Sequence, residues 1–92
     1  MHLEQKFPQK RAFITGAASG LGLAICKRLA PGGWRLLIAD INEARLEEAA
    51  TTLRALGAET EQLVLDVTDL SALESAADQI KQRWGGVDMV FN

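Results

Sequence analysis

A glycine-rich segment between two apolar stretches constrains the fold of this chain more than any other feature. The segment reads Thr15-Gly16-Ala17-Ala18-Ser19-Gly20-Leu21-Gly22. It follows the apolar run at 12–14 and opens a stretch, 21–29, with apolar residues at helical spacing. A glycine-rich turn between a strand and a helix is a phosphate site, because the free N–H groups of the first helical turn and the positive end of the helix dipole face the anion.

The individual residues of this segment are expected to serve different purposes. Gly16 is expected to take the positive φ of a sharp turn, which glycine adopts without steric cost. Gly20 and Gly22 are expected to leave room where a pyrophosphate approaches the backbone, or where the helix packs closely on the strand. Ser19 precedes the helix, where a hydroxyl caps the first turn and can also contact a ribose or a phosphate. For Thr15, a plain role as a β-branched strand residue stays open.

The rest of the chain alternates between strand-like and amphipathic helical stretches. Strands are predicted at 10–15, 34–39, 61–66 and 87–91, and helices at 20–30, 43–56 and from 68 to the glycine pair at 85–86. A capping box, Ser71 with Glu74, is expected near the start of the third helix. Elements that alternate in this way form a parallel sheet with right-handed helical crossovers. We therefore expect an α/β fold of the Rossmann type, with strand order 3-2-1-4 and truncated after the fourth strand, preceded by a tail at 1–8.

Two aspartates follow predicted strands. Asp40 closes the second apolar run and Asp66 closes the third. Because the carboxyl ends of parallel strands meet at one edge of a sheet, both side chains are expected beside the glycine-rich segment. An acidic residue about 20 positions past a dinucleotide-binding loop accepts hydrogen bonds from the adenosine ribose hydroxyls, and its charge repels a 2′-phosphate. The plainer interpretations are a solvated Asp40 and an Asp66 that only closes a turn.

The glycine spacing G-x-x-x-G-x-G after a threonine resembles the cofactor loop of the short-chain dehydrogenases/reductases. Asp40 and the pair Asp66-Val67 match that family in order and spacing, and residues 87–92 look like its fourth strand running into an N-N-A-G motif. The resemblance covers residues 10–92 and implies hydride transfer between a nicotinamide and an alcohol or carbonyl group. It also implies that the complete protein is a homo-oligomer.

The resemblance implies roles for residues around the loop. Thr15 and Leu21 belong to the cofactor loop together with the glycines. Ile41 flanks the adenine ring, while Asp66 and Val67 form the adenine pocket, in which the carboxylate accepts a hydrogen bond from the exocyclic amine. These assignments follow from the matched positions, not from the composition of the chain.

The same resemblance bears on the choice of cofactor. Relatives that prefer NADP usually carry a basic residue just before the middle glycine of the loop or just after the acidic position. Here those positions are Ser19 and Ile41, and neither is basic, so NAD is expected rather than NADP. Asn92 is the first residue of the N-N-A-G match, and the resemblance implies that it helps join the floor of the cofactor site to the sheet.

The family's catalytic residues are a tyrosine and a lysine in Y-x-x-x-K, helped by a serine and an asparagine. The chain contains no tyrosine, so no catalytic residue is assigned. Residues 9–92 are expected to be the N-terminal part of a dinucleotide-binding domain without its catalytic half. The alternative is a self-standing, non-catalytic dinucleotide-binding or sensing module. An epimerase or dehydratase relative is disfavoured, because that branch usually has T-G-x-x-G-x-x-G.

Charge and composition exclude several other classes. A net charge of −2 gives no reason to expect nucleic acid or an anionic membrane as partner. No apolar run approaches the ~18 residues of a membrane span, and the start lacks the apolar stretch of a signal peptide. One cysteine, Cys26, fits a reducing compartment and a buried, inert thiol, so a cytoplasmic location is expected. No metal-ligand cluster is present, and the basic residues Lys6, Lys10 and Arg11 are expected to form a solvated flank.

Overall fold

The computed structural model describes residues 9–92, so the predicted tail at 1–8 and Lys6 of the basic flank lie outside the described residues. Its elements in chain order are β1 (Arg11–Thr15), α1 (Gly20–Leu29), a 3₁₀ turn (Ala30–Gly32), β2 (Arg35–Asp40), α2 (Glu43–Ala55), β3 (Glu59–Val64), α3 (Leu70–Trp84) and β4 (Met89–Phe91). Neighbouring strands pair in parallel in the order β3-β2-β1-β4. The predicted α/β fold of the Rossmann type and its strand order are confirmed.

The middle strands β1 and β2 are buried on both faces of the sheet. The side chains of successive residues in a strand point to opposite faces of the sheet, so each strand contributes residues to two hydrophobic clusters. Ile14 and Ile38 pack with the helices α1 and α2 on one face. Phe13 and Leu37 pack with α3 on the other. Since both faces are covered by helices, the carboxyl edge of the sheet is the place left for a binding site.

Two further side chains fill the core. Cys26 is fully buried on α1, and burial raises the pKa of its thiol to about 12. The thiol is therefore protonated at neutral pH, as expected of an inert core cysteine. Trp34 is 1% exposed and fills the core at the start of β2.

The third helix begins differently from the prediction. Asp69 occupies the N-cap of α3, and its carboxylate accepts a hydrogen bond from the backbone N–H of Ala72. The predicted capping box at Ser71 and Glu74 is therefore wrong, since Ser71 lies inside the first turn. A carboxylate at the N-cap satisfies a free N–H group and also faces the positive end of the helix dipole, which favours Asp69 over Ser71 as the capping residue.

All four strands differ from their predicted bounds by one or two residues, and β2 spans 35–40 instead of 34–39. β3 spans 59–64 instead of 61–66, because Glu59 pairs with Arg35 and the ladder ends with the last residue of β2, Asp40. Asp66 therefore lies beyond its strand, not at the end of it. β1 begins one residue later than predicted, at Arg11, and Lys10 before it has a φ of +52°, outside the strand region. β4 begins two residues later than predicted, at Met89, which pairs with Ala12.

The basic flank is not solvated where the structure describes it. The Arg11 side chain is only 14% exposed and forms a salt bridge with Asp88. Its Nη1 also donates to the carbonyl oxygen of Trp84 at 2.8 Å. Lys10 Nζ donates to the carbonyl oxygen of Gly32 at 2.9 Å. The expected solvated flank is therefore wrong for both residues, because each side chain finds acceptors on the folded chain that the sequence does not place nearby.

Candidate functional site

The carboxyl ends of the strands meet at one edge of the sheet, where the glycine-rich loop leads from β1 into α1. A basin of about 160 Å³ opens at this edge. Its walls are formed by Gly16, Asp40, Ile41, Leu65, Asp66 and Val67. The structure thus brings together residues from three loops that are far apart in the sequence. Leu65 is the wall residue that the sequence did not predict, although its place directly before Asp66 was an available signal.

The glycines of the loop shape its path. Gly16 has the predicted positive φ, +60°, and Gly20 has a φ of +58° that the sequence did not suggest. At Gly22 a side chain has no room, because a Cβ would lie 2.3 Å from the carbonyl oxygen of Gly16. The expected close approach of helix and loop is therefore confirmed at Gly22. By contrast, a Cβ on Gly20 would meet no heavy atom within 4 Å, so the space beside it is open.

The N-terminus of α1 differs from those of the other two α-helices in residues 9–92. Ser19 holds the N-cap position with extended backbone, but its side chain makes no capping hydrogen bond. Asn42 caps α2 by accepting from the N–H of Arg45, and Asp69 caps α3 in the same way. Ser19 is therefore confirmed at the cap position, while the expected capping hydrogen bond is absent. The first N–H groups of α1 are not occupied by a side-chain cap and remain available to an anion.

Two alanines anchor the loop to β2. Ala17 is fully buried, and its N–H donates to the carbonyl oxygen of Ala39 at 3.1 Å. Ala18 is 8% exposed, and its N–H donates to the carboxylate Oδ2 of Asp40 at 3.1 Å. The sequence did not reveal these contacts, although two consecutive small residues inside the loop were a signal that their side chains are buried.

Asp40 ends β2 and is half-buried at the wall of the basin. Its Oδ1 accepts the N–H of Asn42 at 3.0 Å, while Oδ2 accepts the N–H of Ala18. The plainer interpretation of a merely solvated Asp40 is therefore wrong. Beside it, Ile41 is 67% exposed although it is apolar, and across the basin Val67 is 43% exposed. Two exposed aliphatic side chains can pack on the faces of a flat ring, while a neighbouring carboxylate can accept hydrogen bonds from polar groups at its edge.

Asp66 forms a turn with Thr68. Its Oδ1 accepts the backbone N–H of Thr68 at 2.9 Å and the hydroxyl of Thr68 at 2.7 Å. The hydroxyl hydrogen bond is the main reason that the pKa of Asp66 is lowered, so the carboxylate is ionised at neutral pH. The turn interpretation of Asp66 is confirmed, and its adenine contact stays a prediction.

Thr15 links the ends of two neighbouring strands. It is 5% exposed, and its hydroxyl lies 2.6 Å from Oδ1 of Asn92, to which it donates. The carbonyl oxygen of Phe91 lies 3.3 Å from the same hydroxyl. The contact holds Asn92 at the rim beside the loop, and Leu21 stands exposed at the start of α1. Contacts of Thr15, Leu21 and Asn92 with a cofactor stay predictions.

The described residues show neither a metal site nor a membrane span. Within 9–92, no group of three or more histidine, cysteine, aspartate or glutamate side chains is placed to hold a metal ion. No helix in the same range is long and apolar enough to cross a membrane.

The sheet order and the loop at its carboxyl edge define a Rossmann-type α/β protein. The chain belongs, more narrowly, to the short chain dehydrogenase family, whose model matches residues 10–92. The oxidoreductase YxbG of Bacillus subtilis (strain 168) is 40% identical over 87 residues, which are 95% of this chain and 32% of that protein. The chain thus spans about a third of the length of the curated relatives it matches.

Solved structures of short-chain dehydrogenases/reductases also match the chain. A short-chain dehydrogenase/reductase from Burkholderia phymatum in complex with NAD matches with a TM-score of 0.81 and 37% identity, over 88% of this chain and 29% of that chain. L-Sorbose reductase from Gluconobacter frateurii, complexed with NADPH and L-sorbose, matches with a TM-score of 0.81 and 30% identity, over 88% of this chain and 31% of that chain. These neighbours hold different nicotinamide cofactors, so the likeness alone does not choose between them.

Proposed function

We propose that residues 9–92 form the N-terminal, dinucleotide-binding part of an oxidoreductase that transfers hydride between NAD and an alcohol or carbonyl substrate. The observation that carries this proposal is the N-terminus of α1, where Ser19 makes no capping hydrogen bond and the space beside Gly20 is open. Such a helix start offers backbone N–H groups and a positive dipole to a pyrophosphate. The donor set and the open space fit this anion.

The adenosine half of the cofactor is assigned to the basin. Asp40 would accept hydrogen bonds from the ribose hydroxyls, and its charge would oppose a 2′-phosphate. The exposed side chains of Ile41 and Val67 would cover the two sides of the adenine ring. Asp66, ionised and placed in the same wall, would accept from the exocyclic amine. The absence of a basic side chain at Ser19 and Ile41 favours NAD over NADP.

When bound, the nicotinamide would accept or donate the hydride, and the residues of this chain would hold the pyrophosphate and adenosine parts of the same cofactor. The loop holds the pyrophosphate, and the Thr15–Asn92 hydrogen bond keeps the end of β4 at the rim of the site. No tyrosine occurs in the sequence, so we assign proton transfer to residues of the oxidoreductase beyond these 92. A cytoplasmic location and a homo-oligomeric complete protein stay predictions.

A charge placed at the start of α1 tests the proposal. Ser19→Asp supplies a capping carboxylate, which keeps or raises helix stability by about 0.3–1 kcal/mol, but it repels a phosphate. We expect calorimetric titration to show NAD affinity lower by about tenfold or more. Ser19→Asn caps the helix without a charge and is expected to weaken binding less.

The control carries the same charge elsewhere. Ser71→Asp adds a carboxylate to the first turn of α3, where Ser71 is exposed, and should leave NAD binding unchanged. Equal NAD affinity in Ser19→Asp and Ser71→Asp would contradict a pyrophosphate at α1. Absence of NAD binding by the unaltered chain would contradict the proposed function itself.

A further inference from the structure

We propose that Asp40 positions the glycine-rich loop by holding the backbone N–H of Ala18, so that the loop is formed before a dinucleotide arrives. This second role rests on the proposed function, because it concerns the same binding site. It differs from a ribose contact, since the donor to the carboxylate is a backbone N–H of the loop itself. Asp40 is thus a positioning residue for the pyrophosphate half of the cofactor as well as a contact for the adenosine half.

The loop is held by two consecutive hydrogen bonds to two consecutive residues of β2. The first joins the N–H of Ala17 to the carbonyl oxygen of Ala39 and depends only on the backbone. The second joins the N–H of Ala18 to the side chain of Asp40 and therefore depends on which residue stands at position 40. Because Ala18 is 8% exposed, water cannot readily replace the lost acceptor, and a buried N–H without a partner is unfavourable.

The carboxylate is itself fixed from the other side. Its Oδ1 accepts the N–H of Asn42 at 3.0 Å, and Asn42 is the residue that caps α2. Asp40 therefore links the loop before α1 to the turn before α2, with one oxygen for each N–H donor. The two oxygens retain further lone pairs for ribose hydroxyls, so both roles are compatible.

Asparagine at position 40 breaks this arrangement without removing bulk. Its amide offers one acceptor oxygen and one donor NH₂ group. Two backbone N–H groups converge on the side chain, from Ala18 and from Asn42, so one of them always loses its acceptor. Asp40→Leu keeps the bulk and offers no acceptor to either N–H group. It is therefore a sharper variant than Asp40→Asn, which can keep the bond to Ala18, and than Asp40→Ala, which also opens a gap at the wall of the basin.

The two roles of Asp40 are separated by a ligand without ribose hydroxyls. The probe is the NAD analogue whose adenosine ribose lacks both the 2′- and the 3′-hydroxyl. If Asp40 acted only on those hydroxyls, Asp40→Leu would leave the affinity for this analogue unchanged. If Asp40 positions the loop, the variant should bind the analogue more weakly, by about tenfold for one lost hydrogen bond to a charged group.

Amide hydrogen exchange of the 92-residue chain, followed by NMR without ligand, tests the contact directly. We expect the Ala18 amide to exchange at least several-fold faster in Asp40→Leu than in the unaltered chain, while the amides of Phe13 and Ile14 are unaffected. The matched control is Asp78→Leu, the same replacement at an exposed position of α3, which should leave Ala18 unchanged.

The outcomes are distinguishable. Unchanged exchange at Ala18 in Asp40→Leu would overturn the proposal. Faster exchange with undiminished affinity for the dideoxy analogue would also overturn it, because the loop contact would then not matter for binding. Failure of the unaltered chain to bind either NAD or the analogue would contradict the proposed function, whereas the exchange experiment would still decide whether Asp40 holds the loop.

Discussion

Arg11 and Asp88 face each other across the beginnings of β1 and β4 in a two-pronged salt bridge. Arg11 Nε donates to Oδ2 of Asp88 at 3.0 Å, and Nη2 donates to Oδ1 at 3.1 Å. Two backbone N–H groups add further hydrogen bonds. The N–H of Arg11 donates to Oδ2 of Asp88, and the N–H of Asp88 donates to the carbonyl oxygen of Arg11. At the other end of the same two strands, Thr15 bonds Asn92. The short strand β4 is therefore held to β1 at both of its ends.

This salt bridge predicts a pH dependence of stability. The hydrogen bond from Arg11 lowers the pKa of Asp88. Its contribution to the free energy of unfolding is therefore complete above the unfolded-state pKa, about 3.9, and is lost as the pH falls through the lower pKa of the folded state. We expect Asp88→Asn to be less stable than the unaltered chain at neutral pH, with the difference shrinking below about pH 4.

Urea denaturation at a series of pH values measures this difference. The control is Glu59→Gln, because Glu59 pairs with Arg35 on the surface, where it is 72% exposed. That variant should change the free energy of unfolding by at most about 1 kcal/mol. A difference between Asp88→Asn and the unaltered chain that stays constant down to strongly acidic pH would contradict the prediction.

Gly22→Ala should destabilise the chain. The added Cβ would lie 2.3 Å from the carbonyl oxygen of Gly16 and 3.1 Å from that of Thr15, and backbone atoms cannot move aside cheaply. We expect a loss of about 1–3 kcal/mol in the free energy of unfolding, typical of overpacking. Ala24→Leu adds more bulk at an exposed position of the same helix and should cost far less. Equal stability of Gly22→Ala and the unaltered chain would show that α1 does not need to lie so close to the loop.

The sequence predicted the fold better than it predicted the contacts that complete it. Alternating apolar and amphipathic stretches determine the strand order, since both faces of β1 and β2 must be covered. The start of β4 was not predictable, because it depends on the pairing of Arg11 with Asp88, a residue 77 positions away.

At the candidate binding site, too, the positions of residues could be predicted from the sequence, but the contacts between them could not. The positions of Asp40 and Ile41 at the carboxyl edge follow from strand order and could be predicted. The hydrogen bond from Ala18 to Asp40 could not, because it depends on how the loop turns between two glycines with positive φ. The capping of α3 was mispredicted because Asp69 and Ser71 are both good N-cap residues, and only the packed helix decides between them.

Cofactor choice provides a further test. We expect the unaltered chain to bind NAD more tightly than NADP, because the Asp40 carboxylate accepts from ribose hydroxyls and repels a phosphate. Asp40→Ala should reduce the difference between the affinities for NAD and NADP, since hydrogen bonds to a charged group contribute on the order of 1.5–3 kcal/mol. Ile41→Arg adds a cation at an exposed position and should improve NADP binding. Calorimetric titration measures the affinities of the three chains for NAD and for NADP, and tighter binding of NADP by the unaltered chain would overturn the assignment.

The 92-residue chain should not reduce NAD with any alcohol. The family's catalytic tyrosine has no counterpart here, because the sequence contains no tyrosine. The absorbance of NADH is the measurement, with Gly16→Trp in parallel, since that variant obstructs the loop and exposes activity from a contaminating enzyme. Turnover that is reproducible in the unaltered chain and absent in Gly16→Trp would contradict the prediction.

The outer side of β4 should make the 92-residue chain self-associate. Within residues 9–92, β4 pairs only with β1, so its other side presents backbone N–H and carbonyl groups without a neighbouring strand. Val90 is 59% exposed there and borders an apolar groove of about 480 Å³ that Phe13 and Ile80 also line. A second copy that pairs its own β4 in the antiparallel direction would satisfy both edges at once and bury both Val90 side chains.

We expect sedimentation velocity to show concentration-dependent association of the unaltered chain and a monomer for Val90→Lys, because a lysine at the edge opposes pairing. A monomeric unaltered chain whose β4 amides exchange as slowly as those of Phe13 and Ile14 would contradict this prediction and favour a self-standing binding module.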